Sequence, residues 1–103
     1  MVISLEVARA IRPLASLLHG YIHEKSQNGV LIRGVKMTPI SINEMCKACG
    51  CSPNSVHTNL IDLVRQGYVA RTYKKENPND ESVIKLTAGS GVLYMGTTDK
   101  VKL

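Results

Sequence analysis

Two stretches with helical spacing meet across three residues, Gly50-Cys51-Ser52, and no other feature narrows the possible folds of this chain so sharply. The first stretch opens at Ser41-Ile42-Asn43-Glu44, where a Ser hydroxyl and a Glu three residues on can each satisfy an orphan backbone donor. A helix is therefore predicted from Ile42 to Cys49, with Gly50 as its stop. The second opens at Ser52-Pro53, a side-chain cap followed by a proline at the first helical position, where its missing N–H costs nothing. It continues through Gln66 and ends at Gly67. Val56, Leu60, Leu63 and Val64 give this helix an apolar face, while Asn54, Ser55, His57, Thr58, Asn59, Asp62 and Arg65 fall largely on the other side. So short a turn sets the second helix across the first.

The flanks complete the pattern. Ser4, Val7, Ile11, Leu14, Leu18 and Tyr21 recur at spacings of three and four, with Pro13 interrupting the run, so a short helix near 4–11 and a second near 13–27 are expected. Val30 to Met37 reads as a short strand or an irregular hairpin. Tyr68 to Lys74 alternates bulky and basic residues, Asn77-Pro78-Asn79-Asp80 is rich in turn formers, and Ser82 to Thr87 alternates again, which predicts a β-hairpin over 68–87. Residues 88–103 remain as a tail in which Val92 to Met95 can pack back as a short helix or strand. The expected fold is α+β, mainly helical with a small hairpin, in one domain over 1–103.

Composition limits the chemistry. With 103 residues and 44% apolar content the chain supports a single core. No run reaches the roughly 20 apolar residues of a membrane span, and the first residues lack a basic flank followed by an apolar stretch, so a cytoplasmic location and no membrane association are expected. Three cysteines crowded at Cys46, Cys49 and Cys51 do not form a disulfide framework. At these positions between two helices they suit small buried hydrophobes, with a redox-sensitive thiol or a metal site including His57 as the alternatives. No phosphate-cradling loop, nucleophile elbow or paired metal motif is present, so no enzymatic activity, metal or cofactor is expected. A net charge of +5 suits a polyanionic partner. The absence of Trp and Phe disfavours a stacking platform for single strands.

Helix, tight turn, helix and hairpin is the order of a winged helix-turn-helix, in which the second helix (within 41–66) enters a major groove and the hairpin forms a wing. Within Ile40 to Tyr94, just over half the chain, the run from Cys51-Ser52-Pro53-Asn54-Ser55-Val56 through Leu63-Val64-Arg65-Gln66-Gly67-Tyr68-Val69 to Leu86-Thr87 resembles the MarR-like transcription regulators, and the segment is equally similar to small winged-helix plasmid and phage regulators. Glu81-Ser82 follows Asp80 where the MarR-like family often has an Asp-Arg pair, and the family's long C-terminal dimerisation helix is missing. The resemblance implies a sequence-specific, double-stranded DNA-binding regulator, most simply a repressor. A segregation or replication adaptor, whose tail holds a protein partner, and a protein-interaction module are the alternatives.

The residues themselves supply the candidate contacts. Ser52, Asn54, Ser55, His57, Thr58 and Asn59 offer amides and hydroxyls for base edges or phosphates, and Arg65, Arg71, Lys74, Lys75 and Lys85 offer phosphate contacts. Residues 38–87 carry six cations against five anions, which leaves this region nearly neutral and points to action as a homodimer. The apolar face of residues 3–27 is the expected dimer surface. Further cations at Arg9, Arg12, Lys25, Arg33, Lys36, Lys100 and Lys102 would flank the DNA if folding gathers them on one side.

Overall fold

The computed structural model describes residues 3–73 and 92–99. Its helices are α1 (Leu5–Ala10), α2 (Pro13–Ser26), α3 (Ile42–Cys49) and α4 (Pro53–Arg65). Its strands are β1 (Val30–Ile32), β2 (Val35–Ile40), β3 (Val69–Tyr73) and β4 (Leu93–Thr97), which form one antiparallel sheet in the order β1-β2-β4-β3. The mixed α+β class holds, but the β part is larger than a hairpin. No helix among the described residues is long and apolar enough to cross a membrane.

Local chemistry sets the helix ends. The Ser41 hydroxyl accepts from the Glu44 N–H at 3.1 Å, while the Glu44 carboxylate lies 3.7 Å from Lys25 Nζ on α2, so the cap works in one direction and the acid ties α3 to α2. Gly50 takes the left-handed conformation (φ 63°, ψ 38°) that a side chain would oppose, and the Cys51 N–H closes the turn on the Cys46 carbonyl at 3.2 Å. Gly67 ends α4 in the same way, with the Tyr68 N–H on Leu63 O at 2.9 Å. The stretch 30–37 is a regular two-residue hairpin, Arg33-Gly34 both having positive φ between the paired Ile32 and Val35. Pro39 sits where β2 has run past its last pair with β1, so its lack of a donor costs no ladder bond on that side.

The core assigns places to two of the expected segments. Ala15, Leu18 and Ile22 of α2 are buried against Val56, Leu60 and Leu63 of α4, Met45 of α3, and Ile40, Leu93 and Met95 of the sheet. Most of the apolar face of 3–27 is therefore packed inside one chain, because α2 is the central helix on which the other elements close, while Ile3 and Leu5 stay exposed. On the opposite face of the sheet Ile32, Met37 and Tyr94 make a smaller cluster. The second is the tail, where a short helix or strand is expected at Val92 to Met95 and a strand forms. Within the described residues β3 pairs with β4, from Val69↔Thr97 to Tyr73↔Leu93, and β4 pairs with β2 on its other edge. Residues 93–97 are thus an inner strand, because Leu93 and Met95 face the helices while Tyr94 fills the opposite cluster. The expected return strand at Ser82–Thr87 and the turn before it lie outside the described residues.

Candidate nucleic-acid interface

Helix α4 is anchored on one side and bare on the other. Val56, Leu60 and Leu63 are at most 1% exposed. Asn54, His57, Thr58, Ile61 and Arg65 are exposed and recur at spacings of three and four, which forms a stripe about 16 Å long at 1.5 Å per residue. The helix is held at its start by Ser52, whose Oγ accepts from the Ser55 N–H at 3.3 Å and donates to Ser55 Oγ at 3.2 Å. Ser52 is exposed and Ser55 half-buried. Thr58 Oγ1 donates to the Asn54 carbonyl at 2.9 Å, leaving its lone pairs to accept from outside.

The structure removes Asn59 from the outward face. It is 2% exposed, its Nδ2 donates to the Ser55 carbonyl at 2.7 Å, and its Oδ1 has no hydrogen-bond partner among the described residues. Its spacing explains this position: Asn59 stands three residues after Val56 and four before Leu63, on the apolar stripe, and only its amide chemistry suggested otherwise. Ile61 shows the converse. Its apolar type hides it from a search for polar readers, yet it is 43% exposed at the centre of the stripe.

Arg12 joins the site from outside the expected segment. Its guanidinium pairs with Asp62 of α4, both groups being partly exposed, and it lines an open depression of about 330 Å³ with Leu14, Asn54, Ser55, Thr58 and Asn59. A cation therefore stands at one flank of the stripe and Arg65 at its far end. Arg71 on β3 is half-buried, with its guanidinium carbon 5.6 Å from the centre of the Tyr73 ring. Lys74, Lys75 and Lys85 lie outside the described residues.

The cysteines occupy the inner side of the turn. Cys46, Cys49 and Cys51 are unpaired thiols, half-buried and packed against the core. Burial, reinforced by Cys51 and Cys46, pushes the Cys49 thiol up to about 11, and burial also raises Cys51. Both stay protonated at neutral pH, which makes them poor nucleophiles. Among the described residues no group of three or more His, Cys, Asp or Glu side chains is arranged to hold a metal ion. Compared with protein-family models, curated proteins and solved structures, the chain finds no match.

Proposed function

We propose that this chain is a winged helix-turn-helix module that binds double-stranded DNA sequence-specifically through α4 and acts as a transcriptional regulator, in keeping with its resemblance to MarR-like proteins. The observation that carries the reading is the bare stripe of Asn54, His57, Thr58, Ile61 and Arg65 on a helix whose other side is locked into the core. Asn54 and Thr58 supply donors and acceptors for base edges, Arg65 supplies charge for a flanking phosphate, and the guanidinium of Arg12, paired with Asp62, keeps donors for another. The element order supports the same reading, since β2, α3, α4, β3 and β4 follow one another with β4 lying between β2 and β3. In this reading the chain binds and does not catalyse. Exposed Ile3 and Leu5, beside and on α1, are apolar groups that can pair two copies.

The test is selection of genomic duplex fragments by the purified chain across a salt series, followed by affinity measurements on the enriched site. A defined site surviving near physiological salt is expected, and its layout discriminates roles: one palindrome marks a paired repressor, tandem repeats an adaptor. Asn54→Ala should weaken specific binding by about 1–3 kcal/mol while sparing random DNA. Arg65→Ala should weaken both and lower the salt slope by about one. Equal losses on both DNAs for Asn54→Ala would remove it as a reader. No duplex retained at any salt would leave exposed Ile61 as the centre of a protein-binding face and sink the DNA reading.

A further inference from the structure

A second concavity lies at the other end of α2, about 20 Å along the helix from the Arg12 depression. It measures about 830 Å³, within the range of small-molecule sites. It opens where the last turns of α2 part from the β1–β2 hairpin and the end of β4, so the helix forms one wall and the sheet the other. Close backbone contact fixes the sheet wall: a Cβ on Gly96 would lie 2.2 Å from the Lys36 carbonyl oxygen.

The helix wall is equally ordered. His23 Nδ1 is 2.9 Å from Thr97 Oγ1, and its Nε2 is 2.8 Å from Gln27 Nε2. Both ring nitrogens of His23 are thus engaged by neighbouring side chains, which fixes the plane of the imidazole against the end of β4. Besides the His23 ring, the lining carries one cation, Lys36, and one anion, Asp99, and neither has an ionic partner among the described residues. Leu31, 62% exposed, and half-buried Val35 supply an apolar patch on the same lining.

We propose that this cleft binds a small zwitterion with an apolar side chain, a free amino acid or a short peptide of such residues. Its carboxylate is taken by Lys36, its ammonium by Asp99, and its side chain rests on Leu31 and Val35. A ligand of net charge would leave one of the two poles unanswered, and a wholly apolar one would desolvate both without compensation. The site is independent of the DNA reading, because none of its lining residues lies on α4.

Calorimetric titration of the whole chain, without DNA, tests this with leucine and leucyl-leucine as probes, and N-acetyl-leucine and leucinamide as analogues each lacking one charge. Saturable binding of at least one probe is expected, the tighter of the two identifying a free amino acid or a peptide as the ligand. Each blocked analogue of leucine should bind about tenfold more weakly than leucine, or worse, because it forfeits a charge-assisted contact. Lys36→Met should abolish the preference for leucine over leucinamide, and Asp99→Asn the preference over N-acetyl-leucine. Both side chains are exposed, so neither change threatens the fold. Absence of saturation with both probes, equal binding of the blocked analogues, or unchanged preferences in the variants would overturn the proposal.

Discussion

Helices α2 and α4 are nearly equal in length, fourteen and thirteen residues, and each begins with a proline, yet they serve opposite ends. Helix α2 is wrapped: Ala15, Leu18 and Ile22 are buried, and so are Ser16, His19, Gly20 and Ser26. Its N-cap, Arg12, makes no side-chain capping bond, so packing from several directions is what holds it. Helix α4 has a side-chain cap and one buried stripe, and those two suffices leave its other face to solvent. A helix surrounded by its own chain is scaffold, whereas a helix anchored along one side can offer the other to a partner.

The sharpest way to break this contrast uses two adjacent residues of α4. Leu60→Ala should cost about 3–4 kcal/mol in urea unfolding through lost burial and a residual cavity. Ile61→Ala should change stability by no more than about 0.5 kcal/mol. Comparable losses from both would mean that α4 has no bare face.

Acid probes the wrapped helix. His19 is fully buried, neither ring nitrogen has a hydrogen-bond partner among the described residues, and the ring meets Tyr68 edge-on at 6.2 Å. Burial, with a smaller contribution from the nearby His23 charge, pushes its pKa down to about 4 from 6.5. The unfolded chain then binds more protons than the folded one between those values. Stability from this group is full above about pH 6.5 and is lost as pH falls to about 4, by about 2–3 kcal/mol. Unfolding free energies measured across that window should show the slope in the parent chain and lose most of it in His19→Leu. A parent profile as flat as the variant's would mean that α2 is less enclosed than its packing indicates.

Gly96→Ala tests the strand on which α2 rests. The added Cβ would meet backbone atoms of Lys36, which can yield only by moving β2 from β4, so a loss of about 2–3 kcal/mol is expected in thermal unfolding. A neutral outcome would show that β4 is not an inner strand. The smallest effect belongs to the cap of α4: Ser52→Ala should cost about 1 kcal/mol, read as a shift in the urea midpoint with unchanged slope.

The ends of α3 and α4 were legible because caps act within one turn of backbone. Ser41, Gly50, Ser52, Pro53 and Gly67 each carry their signal in their own chemistry, and the structure uses them where the spacing placed them. The candidate site was legible in part. Asn54, His57, Thr58 and Arg65 are exposed on α4 as expected, whereas Asn59 faces inward and Ile61 outward. For those two, residue type and helical spacing gave conflicting signals, and spacing prevailed because the buried stripe passes through position 59.

By itself, then, the sequence determined where the helices begin and end, the tight turn between α3 and α4, and the α+β class. The tertiary structure decided that α2 is an inner helix, that Leu93–Thr97 lies between β2 and β3, and that Arg12 comes to the flank of α4. The division has a physical cause. Capping and turn formation depend on neighbours a few bonds away, whereas burial and strand pairing depend on what distant segments cover, and the partners here, such as Ile40 with Leu93 or Arg12 with Asp62, are separated by about half the chain.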